Sequence, residues 1–248
     1  MASIINWLKM PFLLLYGIYV WLVFGVLTLI VCLFLLISPS LSARRSFTRG
    51  AAALAFVLCG LRIRTIDSGL LPNTPCVVVA NHASYLDGMV MTAVLPPRFQ
   101  YVVKREMESV PFAGYLLKRI GTKFVERFNP KSTARDARQI MKAARNKESI
   151  VFFPEGTFAK EPGLKRFHSG AFKIATQNEL PVIPTVISGT RSILPAHSWR
   201  AKPGAIEVRF KQAEQIGKTA ECANSLRDRC RESILSDLDE PDTLTHSD

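Results

Sequence analysis

The sequence predicts an α/β fold with a mainly parallel sheet flanked by helices, preceded by an N-terminal two-helix membrane anchor. From residue 62 onward, short apolar runs alternate with longer helical stretches, which is typical of βα units on a parallel sheet. Before that point, residues 12–37 contain no charged residue. We therefore expect an anchor at residues 1–61, an α/β domain at 62–236 and an acidic C-terminal tail at 237–248.

The charge-free run at residues 12–37 is the first predicted helix. At about 1.5 Å per residue it is roughly 39 Å long, enough to cross a hydrocarbon core of about 30 Å. A cleaved signal peptide is the alternative, but its apolar region is usually only about 7 to 15 residues. Tyr16, Tyr19 and Trp21 lie inside the run, although such aromatics prefer the membrane interface, so a helix lying in one leaflet also stays open.

The second predicted helix, residues 47–63, is apolar nearly all round and should be buried against protein or lipid. Arg44, Arg45 and Arg49 follow the first apolar run, so the positive-inside rule places the α/β domain on the cytoplasmic face of the membrane. Strands are predicted at residues 63–66, 76–80, 99–103, 123–126, 150–153, 182–187 and 205–210. Helices are predicted between them at residues 88–95, 112–119, 132–147, 168–177 and 222–238. The acidic tail, which has no basic residue, is predicted to be frayed.

Positive charge is concentrated in one part of the chain. The formal net charge is +12, and residues 98–147 are rich in Lys and Arg, so this stretch should face an anionic partner. Beside an apolar N-terminus, membrane lipid is a better expectation than nucleic acid, which we do not expect as a partner. A solvated helix face is the simpler explanation for Arg135, Arg138, Lys142 and Arg145. The five cysteines form no metal-binding pattern, so we expect a reduced, metal-free domain.

Polar residues follow the predicted strand at residues 76–80, where ligands bind in open α/β sheets. His82 and Asp87 are five positions apart and can meet only across a turn, not along a helix. There, the carboxylate could hold the Nδ1 proton of His82 and leave Nε2 as a base for a substrate hydroxyl. The alternative is a capping box, with Ser84 as N-cap and Asp87 three residues later. Spacing alone does not separate the two.

Residues 81–87, Asn-His-Ala-Ser-Tyr-Leu-Asp, resemble the N-H-x-x-x-x-D motif of the glycerophospholipid acyltransferases, in particular the bacterial 1-acylglycerol-3-phosphate acyltransferases. Three further blocks resemble that family's motifs in the same order: residues 121–127, 153–157 and 182–187. The resemblance implies transfer of a fatty acyl group from acyl-CoA or acyl-carrier protein to the free hydroxyl of 1-acyl-sn-glycerol-3-phosphate. It implies His82 as the base, Asp87 as its orienting partner, and no cofactor beyond the acyl thioester.

The same resemblance suggests a set of substrate-binding residues: Asn81, Lys104, Arg127, Glu155, Gly156 and Thr157. Arg127 could hold a phosphate with paired hydrogen bonds, with a surface ion pair to Glu126 as the alternative. Gly156 would let backbone N–H groups approach a phosphate or oxyanion. Glu155, as a carboxylate, is expected to orient Arg127, Lys104 or the acceptor hydroxyl.

Two departures from the family pattern keep the acceptor open. Glu126 stands where the second motif usually has Asp, and Phe158 stands where the third usually has Arg, so one positive charge is missing. Another lysophospholipid or lyso-lipid is therefore the alternative acceptor. A serine hydrolase would need a G-x-S-x-G elbow, which the sequence lacks. A silent lipid-binding protein on the same fold is the remaining alternative, against which the intact His82 and Asp87 argue.

Overall fold

The computed structural model describes residues 2–126, 130–216 and 223–244. Its centre is a seven-stranded sheet in the order β1-β7-β6-β2-β5-β3-β4. All neighbouring strands are parallel except β6 and β7, which are antiparallel, so the predicted mainly parallel sheet is confirmed. The strands are β1 Arg62–Ile66, β2 Val77–Ala80, β3 Phe99–Lys104, β4 Lys123–Val125, β5 Ser149–Phe152, β6 Val182–Ser188 and β7 Ala205–Phe210.

The described helices are α1 Ala2–Ile37, α2 Leu41–Leu58, α3 Leu86–Val94, α4 Ala113–Arg119, α5 Pro130–Arg145, α6 Gly170–Asn178, α7 Thr190–Ile193 and α8 Ala223–Leu235, with short 3₁₀ helices at Ser68–Leu70 and Arg105–Ser109. The second helix begins and ends earlier than predicted. Ser40 accounts for its start, because its hydroxyl accepts the Ala43 N–H as an N-cap. The short helix α7 was not predicted, and residue 222, the predicted start of the last helix, lies outside the described residues.

The sheet separates two apolar cores, because successive side chains of a strand point to opposite faces. In the fully buried β2, Val78 and Ala80 belong to a cluster that includes residues of α1, α2 and α3. Val77 and Val79 belong to a second cluster with residues of α5, α6 and α8. The basic helix α5 therefore lies on the face of the sheet opposite the two N-terminal helices.

Helix α1 packs against the rest of the protein along much of its length. Val20 and Phe24 belong to the same cluster as β2, and the Phe24 and Phe56 rings meet edge to face at 5.5 Å. Further along, Val31 and Leu35 pack on Ile120. The opposite side of the helix exposes large apolar side chains, among them Met10, Phe12, Leu15, Ile18, Leu22, Leu33 and Leu36. By length and composition, the segment Met10–Ile37 could cross a membrane.

The polar aromatics inside α1 use their polar atoms within the protein. The Tyr16 hydroxyl donates to the Cys59 carbonyl at 2.9 Å, and the Tyr19 hydroxyl donates to the Leu58 carbonyl at 3.0 Å. The Trp21 indole N–H donates to the Trp199 carbonyl at 2.5 Å. These three side chains therefore need no water or lipid headgroup as a hydrogen-bond partner.

Arginines fasten the N-terminal helices to α4. Arg45 Nε donates to the Ile120 carbonyl at 2.8 Å, and Arg119 Nε donates to the Leu35 carbonyl at 3.0 Å. Arg44 Nε donates to the Ser38 carbonyl at 2.7 Å, between the two helices. Basic residues that were interpreted only as a signal of membrane orientation thus also satisfy carbonyls at helix ends.

The C-terminal residues differ from their prediction. Glu240 pairs with Arg191 at 2.7 Å and Asp242 pairs with Arg231 at 2.6 Å, so the chain is docked on the domain as far as Leu244. The prediction of a frayed acidic tail is wrong for these residues, because Arg191 and Arg231 supply charge partners from outside the tail.

Candidate active site

The site lies at the carboxyl edge of the sheet, where β2 ends. Asn81 follows β2 and is buried. Its side-chain oxygen accepts the Ile187 N–H at 2.7 Å, and its side-chain nitrogen donates to the Ile187 carbonyl at 2.9 Å. The amide is thereby occupied within the protein, where it fixes the end of β2 to β6.

His82 and Asp87 meet across a tight turn. Asp87 Oδ2 lies 2.8 Å from His82 Nδ1, and the same oxygen accepts the backbone N–H of Ala83 at 2.6 Å and of Ser84 at 2.8 Å. Because a carboxylate can only accept, the proton of this pair belongs on Nδ1, and Nε2 is left with its lone pair. The Asp87 side chain is fully buried while that of His82 is 18% exposed. A reactant can therefore reach the imidazole, whereas the carboxylate is shielded.

Asp87 makes contacts of both predicted kinds, although the N-cap residue of α3 is Tyr85 and not Ser84. Ser84 Oγ accepts the Leu86 N–H at 3.2 Å, and Asp87 accepts the Ser84 N–H, as in a capping arrangement at the start of α3. Ser84 Oγ also donates to the Leu194 carbonyl at 2.7 Å. One carboxylate oxygen thus binds both the main chain before α3 and the imidazole, so the His82–Asp87 geometry is built from the turn that leads into the helix.

Glu155 supports the histidine from the loop that follows β5. One of its carboxylate oxygens accepts the His82 backbone N–H at 2.6 Å, and the other accepts the Lys165 N–H at 3.0 Å. Burial raises the pKa of Glu155 to about 7, although these two hydrogen bonds oppose the shift. The carboxylate was expected to orient Arg127, Lys104 or a hydroxyl; instead, both of its oxygens bind backbone N–H groups.

Aromatic rings surround the exposed part of His82. Phe153 stacks on the imidazole with ring centroids 4.5 Å apart, and Phe158 meets it edge-on, also at 4.5 Å. Tyr85 in turn contacts Phe158 at 4.7 Å. Phe158, the residue that replaces the expected arginine, therefore touches the candidate base. Its departure from the motif was the sequence signal, but its contact with His82 was not foreseen.

The remaining predicted binding residues are placed less centrally. Lys104 is the last residue of β3 and is exposed. Gly156 has φ +76°, which favours glycine, and its N–H donates to the Phe153 carbonyl at 2.9 Å, so that donor is used inside the turn. Thr157 is exposed, and Arg127 lies outside the described residues.

A second polar group lies beside the end of β4 and was not predicted. The buried Asp136 of α5 accepts Arg105 Nη2 at 2.6 Å and the Glu126 backbone N–H at 2.8 Å. Burial would raise the pKa of Asp136, but the Arg105 hydrogen bond and the Glu126 N–H outweigh it and lower the pKa. This acid fixes the main chain at the predicted second motif. The only sequence signal for this role is that Asp136 is the one acidic residue among the basic residues of α5.

Comparison with known proteins identifies the family of this chain. Residues 62–188, just over half of the chain, match the family model described as Acyltransferase. The chain belongs to the acyltransferase family. The match runs from the start of β1 to the end of β6 and so contains the whole site around His82.

Several acyltransferases are similar to this chain. Human 1-acyl-sn-glycerol-3-phosphate acyltransferase beta is 31% identical over 71% of this chain and 64% of its own length. The 1-acyl-sn-glycerol-3-phosphate acyltransferase of Saccharomyces cerevisiae is 26% identical over 74% of this chain and 62% of its own length. The chloroplastic enzyme BAT2 of Brassica napus is 33% identical over 51% of this chain and 36% of its own length. The chain thus spans less than two thirds of each of these relatives.

A solved structure shares the fold. The crystal structure of the 1-acyl-sn-glycerophosphate acyltransferase PlsC from Thermotoga maritima has a TM-score of 0.74 and 18% identity, and the match covers 90% of this chain and 95% of that one. The coverage includes most of the N-terminal helices, so the family fold extends to them. At this identity the comparison supports the fold, and the chemistry has to be argued from the residues of the site.

Proposed function

We propose that this acyltransferase transfers a fatty acyl group from an acyl thioester, acyl-CoA or acyl-carrier protein, to the free hydroxyl of 1-acyl-sn-glycerol-3-phosphate, giving phosphatidic acid. The observation that carries the proposal is the 2.8 Å contact between His82 Nδ1 and Asp87 Oδ2 at the end of β2. Relatives whose names specify this acceptor support the choice of substrate.

The proposed reaction is direct transfer. His82 Nε2 accepts the proton of the acceptor hydroxyl as its oxygen bonds to the thioester carbonyl carbon. The tetrahedral adduct then collapses, the carbon–sulfur bond breaks, and the thiolate leaves with the proton from the imidazolium. Asp87 holds the Nδ1 proton throughout and stabilises the transient positive charge. No covalent acyl-enzyme forms.

The surroundings of His82 suit a transfer rather than a hydrolysis. Phe153 and Phe158 cover two sides of the imidazole, which limits the access of water to the base. Glu155 fixes the His82 main chain, so the ring is held both through its Nδ1 and through its backbone. A base placed in this way typically contributes about 10² to 10⁴ in rate.

The decisive test is His82→Ala, assayed with one acyl thioester and lysophosphatidic acid. We expect turnover to fall by at least about 10²-fold with little change in melting temperature. His168→Ala is the matched control, because His168 lies in the loop after β5 with an exposed side chain. Near-normal turnover of His82→Ala would refute the mechanism.

A different lysophospholipid acceptor is the second candidate, and one observation favours it. Phe158 occupies the expected arginine position and packs on His82, so an apolar ring stands where a phosphate ligand was expected. Lysophosphatidic acid, other lysophospholipids and a phosphate-free lyso-lipid should be compared with the same donor. Preference for lysophosphatidic acid supports the first candidate, and preference for a zwitterionic or phosphate-free acceptor supports the second.

We further propose that the protein works at a membrane, with its site on the cytoplasmic face. The exposed apolar side of α1 and the packing of its other side on the catalytic core support an enzyme partly embedded in lipid. Its partners would then be membrane lipid, the lysophospholipid acceptor and the thioester donor. Neither a cofactor nor a metal enters the proposed steps.

A further inference from the structure

The loop between β5 and α6, residues 153–169, carries Glu155 and Phe158, which contact His82 through its backbone N–H and its ring. Such a loop needs support from elsewhere, since it contains no helix or strand. Much of that support comes from residues 240–243 near the C-terminus, here called the C-terminal clamp.

The first part of the clamp is Glu240. Its two carboxylate oxygens accept Arg191 Nε at 2.7 Å and Nη2 at 2.9 Å, a paired arrangement that fixes both side chains. Arg191 Nη1 donates to the Ala159 carbonyl at 2.5 Å, and Glu240 also accepts the Gly163 N–H at 2.7 Å. One ion pair therefore binds the loop main chain at two points.

The second part is Asp242, which forms a paired contact with Arg231 of α8 at 2.6 and 3.0 Å. Arg231 is buried, and it donates to the Leu164 carbonyl at 2.7 Å and to the Lys165 carbonyl at 3.0 Å. Without its carboxylate, this buried guanidinium would lose its charge partner and the loop carbonyls would lose a fixed donor.

Main-chain contacts complete the clamp. The Leu164 N–H donates to the Pro241 carbonyl at 2.9 Å, and the Thr243 hydroxyl donates to the Leu164 carbonyl at 2.8 Å. Gly163 has φ +137°, and a side chain there would come within 2.4 Å of the Thr243 methyl group. Glycine is thus required both by the backbone conformation and by the close approach of the clamp.

The loop then connects directly to the histidine. The Lys165 N–H binds one oxygen of Glu155, and the other oxygen binds the His82 N–H. We propose that the C-terminal clamp positions the base for acyl transfer, acting through the 163–165 main chain and Glu155. Glu240 and Asp242 are positioning residues in this scheme, which rests on the proposed function.

The test compares Glu240→Gln and Asp242→Asn with the native enzyme, with Asp239→Asn as the matched control because Asp239 is an exposed acid in the same stretch. We expect kcat to fall about tenfold in the two clamp variants, with less than a twofold change in the KM of either substrate, because the base is misplaced while binding surfaces stay. The control should behave as the native enzyme does.

Coupling to Glu155 separates positioning from general destabilisation. If the clamp acts through Glu155, Asp242→Asn should cost little further kcat in a Glu155→Gln background. Multiplicative losses in the double variant, or lower melting temperatures with unchanged kcat, would overturn the proposal.

Limited trypsin cleavage gives a readout that does not depend on activity. Both clamp variants should be cut faster after Lys160 and Lys165 than the native protein, and equal rates would count against the clamp. If the native protein transfers no acyl group while the cleavage rates change as expected, the proposed function fails and the clamp stands as a loop support.

Discussion

The turn at residues 81–87 and the loop at residues 153–169 both hold His82, but they are stabilised in opposite ways. Within the turn, the His82 ring is held by a neighbour in sequence, Asp87, which accepts hydrogen bonds from three residues within five positions of itself. The loop is held by Arg191, Arg231 and the C-terminal clamp, dozens of residues away. Contacts between sequence neighbours can be recognised as a motif in the sequence. Contacts between distant residues appear in the sequence only as scattered charged residues.

The turn and the loop also differ in how deeply their supporting side chains are buried. Asp87 is fully buried and its hydrogen bonds are formed with groups that the turn itself supplies, so the turn is expected to be rigid. The loop depends on ion pairs whose side chains remain partly exposed, such as Arg191 and Glu240 at 15% and 16%. Substitutions in the turn should therefore lower turnover strongly. Substitutions in the loop should displace His82 slightly and lower turnover by smaller amounts.

The largest effect is expected from Asp87→Asn in the turn. The amide oxygen is a neutral, weaker acceptor for the three hydrogen bonds that Asp87 Oδ2 receives, and it does not stabilise the imidazolium as a carboxylate does. Turnover should fall about 10²- to 10⁴-fold. Steady-state assays together with thermal melts check this.

Ser84→Ala is the control for a purely structural role of that turn. It removes the hydroxyl contacts with Leu86 and Leu194 but keeps the carboxylate, so it should lower stability by about 1 to 3 kcal/mol with turnover within severalfold of native. If Asp87→Asn behaved in the same way, its catalytic role would be excluded.

An intermediate effect is expected from Glu155→Gln, where the two regions meet. Glutamine can accept only one of the two backbone N–H groups, so misalignment of His82 should lower kcat by up to about 10²-fold. Combining this variant with the clamp variants separates the contribution of the Lys165 contact from that of the His82 contact.

The same variant makes a prediction about stability and pH. Burial raises the pKa of Glu155 from 4.5 to about 7, so the folded state holds this proton more tightly than the unfolded state. Relative to Glu155→Gln, the native protein should therefore lose stability as pH rises from about 4.5 to 7, by on the order of 3 kcal/mol, and be level above that. Melting temperatures of both proteins from pH 5 to 8 measure this, and a constant difference would contradict it.

The smallest effect is expected from Phe158→Arg in the loop. A guanidinium there should favour an anionic acceptor by up to about fivefold, because partly exposed ion pairs are worth about 0.2 to 1 kcal/mol. The ratio of kcat/KM for lysophosphatidic acid and a phosphate-free acceptor measures this preference. Phe158→Leu, which removes the ring without adding charge, should leave the ratio unchanged, and an equal change in both variants would show that the ring alone sets it.

Much of the fold followed from the sequence because its signals are local. All seven strands were predicted within about two residues of their bounds, and the central strands β2, β5 and β6 are short apolar runs that the sheet buries. The contact of His82 with Asp87 was predicted as well, through the resemblance to the N-H-x-x-x-x-D motif, because spacing alone did not separate it from a capping box.

What escaped prediction depends on distant residues. The backbone contacts of Glu155, the partners of Glu240 and Asp242, and the Asp136 contact with Glu126 join positions that only the folded sheet brings together. The start of α2 was misplaced because its N-cap at Ser40 precedes a basic, weakly apolar first turn. The spacing of residues in the sequence does not predict these long-range contacts.

The aromatic hydrogen bonds of α1 have a practical consequence. Tyr16, Tyr19 and Trp21 fix the rotation of the helix against α2 and the 195–201 segment, while Val20 and Phe24 fill the interior next to β2. Trimming this helix from an expression clone would open the interior of the enzyme rather than free a water-soluble fragment. Detergent-free preparations are better sought by replacing the outward side chains Leu15, Leu22 and Leu36 with polar ones while keeping the inward face intact.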